Sequence, residues 1–126
     1  PPRSTLFPYT TLFRSGPIAF YAGGKAESKR LAAAVHNNIN PLFSADAKPG
    51  QLVHQSPQES NAYYILNQTD LPGILLEIAF MTNADDRELL KNKSSRKKMV
   101  QGVFMGVVEY IYGEQNDQEH IPKKQD

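Results

Sequence analysis

Hydrophobic positions in this chain come in short, separated runs whose spacing alternates between strand-like and helix-like. Ile18–Tyr21 is a continuous apolar run stopped by Ala22-Gly23-Gly24, the pattern of a short buried strand entering a turn. Across residues 26–40, Leu31, Val35 and Ile39 recur four apart with Ala34 beside them, which predicts a helix ended by Pro41. Residues 42–62 have no period, and Pro49-Gly50 marks a turn within them; a loop of that length either borders a cleft or is mobile. Tyr63–Leu66 predicts a second strand, Asn67–Asp70 a polar turn and Gly73–Ala79 a third strand. That last run is apolar enough to be covered on both faces of a sheet.

A short helix is expected over 83–91, with Thr82 or Asn83 as its cap and Asp85 and Asp86 in the first turn, where the helix dipole favours negative charge. The final helix, over about 95–112, carries Met99, Val100, Val103, Phe104, Val107, Val108 and Ile111 as one broad stripe, read as core. Gly102 and Gly106 on it permit close packing, and Gly113 follows its expected end. Residues 114–126 are polar and aperiodic, which predicts a flexible tail. Apolar strands alternating with helix-length stripes specify an α/β fold.

Composition changes the picture chiefly at the start. Pro1–Ser15 has no period, and it matches, residue for residue, the in-frame translation of a common sequencing adapter. The segment is therefore excluded from fold reasoning, and natural sequence is expected to begin near Gly16. It is expected to make few specific contacts, or to lie extended along whatever sheet edge is exposed. Net charge is +1, and removing the +2 of Arg3 and Arg14 leaves −1 for Gly16–Asp126, so nothing argues for nucleic-acid binding. Roughly 110 natural residues make one small domain or part of one. No apolar run approaches the roughly 20 residues of a membrane span. The chain has no cysteine, which excludes disulfides, Cys-ligated zinc and thiol catalysis.

Most candidate chemistry falls away on inspection. His36, His54 and His120 are not spaced as a zinc set, and only His54 is near enough in sequence to border a cleft. Gly23-Gly24 lacks a phosphate-loop pattern, no nucleophile elbow is present, and Arg96-Lys97-Lys98 reads as a solvated helix face. Glu77 is different: it interrupts the apolar strand beside Leu75, Leu76, Ile78 and Phe80. A carboxylate there is costly to bury unless it is paired, binds a cation or stands at an exposed strand end. It lies near the carboxyl end of its strand, where open α/β sheets place their ligand crevice. On the residues alone, a structural Glu paired with an Arg or Lys and a catalytic Glu raised in pKa by semi-burial stand level.

The run Leu71-Pro72-Gly73-Ile74-Leu75-Leu76-Glu77-Ile78-Ala79-Phe80-Met81-Thr82-Asn83 resembles the last motif of the zinc-dependent N-acetylmuramoyl-L-alanine amidases. The resemblance spans Gly16 to about Tyr112, and its compact form is similar to the spore-cortex and germination branch. It implies a portion of a mostly parallel sheet with helices on both faces, in the C-terminal part of the catalytic domain. It implies that Glu77 is the catalytic acid/base, taking a proton from a zinc-bound water and returning it to the leaving amine. The family's zinc ligands fall upstream of Gly16, so the resemblance implies Zn2+ in the intact parent and an inactive fragment here. Peptidoglycan is the implied substrate and partner, outside the cytoplasm, in cell wall, periplasm or spore cortex. Asn67 stands where relatives often carry Arg, and Ala79 where Gly is frequent. The competing reading is a non-enzymatic α/β module that binds cell wall or a partner and whose Glu77 is structural. By resemblance the chain divides into 1–15, a domain portion at 16–113 and a tail at 114–126.

Overall fold

A computed structural model describes residues 13–45 and 47–118. The apolar run at residues 18–21 forms a strand that organises the rest. In chain order the elements are β1 (Arg14–Ser15), β2 (Ile18–Tyr21), α1 (Ala26–Ile39), α2 (Pro41–Ser44), β3 (Leu52–Val53), β4 (Gln58–Glu59), α3 (Tyr64–Gln68), β5 (Leu75–Glu77), α4 (Ala84–Lys91) and α5 (Lys93–Gln118). β2 is the centre of a sheet ordered β4-β2-β5, and β1 and β3 form a separate pair. The β1–β3 and β2–β4 pairings are parallel, while β5 runs antiparallel to β2 with Ile18 opposite Glu77 and Phe20 opposite Leu75. This is the expected α/β class. No helix among the described residues is long and apolar enough to cross a membrane.

The chain leaves β2 through Gly23-Gly24, where Gly24 adopts φ +74°, and enters α1. Small residues let helix and strand approach: Ala19 and Ala32 are both fully buried, with Tyr21, Ile74 and Leu76 around them. Farther along α1, Val35 and Ile39 join Phe43 of α2 and Met99 of α5 in the main core cluster. The contact of α1 with α5 is made by glycine. A methyl group at Gly106 would lie 2.5 Å from Val35 Cα and 2.9 Å from the Ala34 carbonyl oxygen, and one at Gly102 would lie 2.8 Å from the Asn38 carbonyl oxygen. At the other end of the contact, Tyr110 donates to Glu27 at 3.0 Å and the Arg30 guanidinium sits 4.5 Å from the Tyr110 ring centre.

The glycine contact yields a signed expectation. Gly106→Ala should lower stability by about 1–3 kcal/mol, because backbone atoms rather than flexible side chains stand in the way. In a domain of this size the thermal midpoint should then fall by roughly 5–20 °C. Gly113→Ala, with nothing within 4 Å of the added carbon, should instead gain up to about 1 kcal/mol of helix propensity. Thermal melts of the two variants, compared with the parent chain, decide the matter. Equal behaviour at both positions would contradict the packing account.

Several expectations need correction. Tyr63–Leu66 is not a strand: Tyr64–Gln68 forms α3, with Leu66 and Asn67 amides both donating to the Tyr63 carbonyl. Only Leu66 is buried there, and the Lys25 ammonium binds the carbonyls of Leu66, Asn67 and Thr69 at the helix's carboxyl end, where a cation is favoured. The third strand is shorter than predicted, at Leu75–Glu77, and lies at one edge of the sheet, with Leu75 and Leu76 half-buried and Glu77 exposed. The α5 stripe is core only along Met99 and Val103; Val100, Phe104 and Ile111 are exposed on the side away from α1. Gly113 does not end α5, because it keeps helical φ instead of the left-handed conformation a terminating glycine takes, and residues 114–118 continue the helix where a tail was expected. Residues 119–126 lie outside the described residues, as do residues 1–12. Of the segment excluded from fold reasoning, Arg14–Ser15 lies extended along β3, and Ser15 is buried with a specific partner, the Asp86 carboxylate.

Candidate functional site

The residues that hold Glu77 come from β5 and the turn after it. Leu75 and Leu76 anchor the strand, with Leu76 packed against both core clusters, and Glu77 is the last residue in the ladder, opposite Ile18. Its side chain is exposed, so the desolvation expected from the sequence is absent. Among the described residues it makes no ion pair and no side-chain hydrogen bond. Among the described residues, the ion-pair partner that the structural alternative required is not found. What Glu77 offers is a free carboxylate on a fixed strand end, able to accept a proton and give it back.

The turn that follows is fastened by side chains. Asn83, one of the two caps the sequence offered, accepts from the amides of Asp85 at 2.9 Å and Asp86 at 3.1 Å, and its own amide group donates to the Arg14 carbonyl at 3.2 Å. Arg87 donates to the Met81 carbonyl at 2.7 Å. The main fastening is Asp86, which is fully buried. Its carboxylate accepts from the Ser15 hydroxyl at 2.5 Å, the Gly16 amide at 2.9 Å and the Phe80 amide at 2.8 Å. The sequence marked Asp86 only as a first-turn charge; its partners at Ser15 and Gly16 lie about seventy positions earlier, beyond any local signal.

The remaining candidates are not gathered around Glu77. His36 is buried in α1, His54 is half-buried after β3, and His120 lies outside the described residues. Burial, and then the positive field of Arg14, hold the His54 imidazole below its usual range. Asn67 closes α3 onto the preceding loop by donating to the Asn61 carbonyl at 2.7 Å, which gives this position a structural use without Arg. A cleft of about 560 Å³ lies between α2 and α4, lined among others by Phe43, Lys48, Asp85 and Leu89, and Glu77 does not border it. The Lys48 and Asp85 charges on its rim are paired at 2.8 Å. No group of three or more His, Cys, Asp or Glu among the described residues could hold a metal ion, so they do not fit a catalytic zinc, which needs three protein ligands.

Comparison with known proteins assigns the chain. A family model described as N-acetylmuramoyl-L-alanine amidase matches residues 9–109. The germination-specific N-acetylmuramoyl-L-alanine amidase of Bacillus subtilis is 22% identical over 97 residues, 77% of this chain and 38% of that protein. The amidase LytC of the same organism is 32% identical over 85 residues, 68% of this chain and 16% of its own length. Among solved structures, the CwlD amidase of Clostridioides difficile, in complex with the GerS lipoprotein, superposes with a TM-score of 0.61 at 23% identity, over 77% of this chain and 46% of that one. AmiC2 of Nostoc punctiforme gives 0.64 at 21% identity, over 79% and 50%. The chain thus shares the fold of these amidases and spans about half of each solved chain. With the family model matched over most of its length, the chain belongs to the N-acetylmuramoyl-L-alanine amidase family.

Proposed function

We propose that this chain is the Glu77-bearing part of a peptidoglycan hydrolase domain that cleaves the amide between the lactyl group of N-acetylmuramic acid and L-alanine. The observation that carries the reading is Glu77 itself, an exposed carboxylate, unpaired among the described residues, at the end of an otherwise apolar strand. Its role is general acid/base: it takes the proton of the attacking water and delivers it to the departing amine. Family members are generally zinc-dependent, and in this reading sequence preceding Gly16 in the intact parent supplies the ligands. Among the described residues, Glu77 is the group to which this reading gives a chemical role. Residues 16–113 carry the catalytic-domain portion, residues 114–126 lie beyond it, and Pro1–Ser15 is of adapter origin. The substrate class places the parent outside the cytoplasm, in wall, periplasm or cortex.

The test is made on the product of the full reading frame recovered from the source locus. Incubated with purified peptidoglycan, it should release peptides bearing a new amino-terminal L-alanine while leaving the glycan strands uncut. Release of reducing sugar ends without free L-alanine termini, or no release from any peptidoglycan by a folded, metal-replete protein, would contradict the proposal. Native codons for Pro1–Ser15 at that locus would contradict the adapter origin separately.

A further inference from the structure

The outer face of α5 has no part in the amidase reading, and it is apolar where a solvated helix would be polar. Val100, Phe104, Val107 and Ile111 are 68, 65, 36 and 54% exposed. They recur at spacings of four, three and four. That alternation is the seam of two paired helices, narrower than the face a helix turns to a mixed core. At about 100° per residue the stripe lies nearly opposite Gly102 and Gly106, whose side of α5 is occupied by α1.

Carried one step outward at each end, the same spacing reaches Lys97 and Glu114, both within α5. Lys97 is exposed and makes no ion pair among the described residues. The sequence of positions Lys97, Val100, Phe104, Val107, Ile111 and Glu114 has the same spacings read in either direction. Laid antiparallel on a second α5, it has a register in which Phe104 stands level with Val107 and Val100 with Ile111. That same register sets Lys97 level with Glu114 at both ends. A two-fold interface has this form, with each residue meeting a different residue of the other copy and the reverse. A parallel pair would instead set Lys97 on Lys97 and Glu114 on Glu114. A covering segment of unrelated sequence would call for the apolar stripe but not for mirrored ends of opposite charge.

We propose that this face seats a second copy of the same chain, α5 against α5, antiparallel about a two-fold axis that passes between the levels of Phe104 and Val107. The paired stretch from Lys97 to Glu114 is about 25 Å long. One helix face per copy is a small interface beside the roughly 1,600 Å² that stable pairs bury, so the dissociation constant should fall in the range of about 1 μM to 1 mM.

Sedimentation equilibrium on the full 126-residue chain tests this. Between about 10 μM and 1 mM the average mass should climb from 14.1 kDa toward twice that value. Phe104→Ser removes the central layer and should weaken association by about tenfold or more. Lys97→Glu and Glu114→Lys each place like charges at both ends, and each should weaken association by roughly three- to thirtyfold. An equimolar mixture of those two variants restores opposite charges at both ends, and should associate within about threefold of the parent chain. Should Phe104→Ser lower the thermal midpoint of the dilute chain, the two charge variants and their mixture carry the test alone. Four results overturn the proposal. The chain stays at 14.1 kDa throughout, as it would if another segment covered the face. Phe104→Ser, with its fold intact, associates as tightly as the parent. Lys97→Glu leaves association unchanged, as in a parallel pair, or the mixture associates no more tightly than either variant alone.

Discussion

In the intact parent that we propose, with Glu77 as its acid/base, Glu77→Gln should slow release of L-alanine-terminated peptides by about 100- to 10,000-fold, the usual contribution of a positioned acid/base. Glutamine preserves the length of the side chain and its hydrogen-bonding reach but cannot take the proton from water. Stability should hardly move. Glu77 is exposed and, among the described residues, unpaired, so the substitution removes no buried interaction, and changes at such sites are usually within about 0.5 kcal/mol. The opposite pattern would follow from a structural carboxylate, where breaking a buried pair costs about 3–5 kcal/mol and activity falls only as folded protein is lost. Peptide release and thermal midpoint, measured together on parent and variant, separate the two. A variant that keeps full activity, or one inactive only because it is unfolded, removes Glu77 from the catalytic role.

Asp86→Ala should have the largest effect on folding. The carboxylate is fully buried and satisfies the amides of Gly16 and Phe80 as well as the Ser15 hydroxyl. Alanine leaves those donors without their acceptor, at about 1–3 kcal/mol each. Losses of that size consume most of the roughly 5–15 kcal/mol by which a domain is stable. The expected result is a chain unfolded at 37 °C or melting at least about 15 °C lower. Asp86→Asn keeps one acceptor oxygen and should fall between alanine and the parent. Circular dichroism melts of the three proteins check the order, and an Asp86→Ala chain that melts with the parent would contradict the clamp.

The contrast between Glu77 and Asp86 marks how far this chain can be read without coordinates. Leu31, Val35 and Ile39 announce α1 because a helix face repeats within a few residues, and Asn83 announces its cap because the amides it satisfies are two and three positions away. Gly102 and Gly106 declared a close approach, although not the partner helix. Glu77 stood out because one carboxylate interrupts an apolar run, and the surrounding motif supplied its meaning. Tyr63–Leu66 misled because its apolar content is as good for a short helix as for a strand, and the deciding cation, Lys25, is some forty positions earlier. β3 and β4 were invisible for a related reason: two-residue strands have no period, and exist only through the partners they meet.

The notch at Gly102 and Gly106 also sets where the gene tolerates changes in length. Each residue of a helix advances the face by about 100°, so one codon inserted between Lys93 and Gly102 would swing both glycines away from Asn38 and Val35. Side chains would arrive where backbone has to fit, and the two helices could not close. At Gly113, where an added carbon meets no neighbour within 4 Å, packing makes no such demand. Length is therefore fixed before the notch, and linkers have no place at the start of α5.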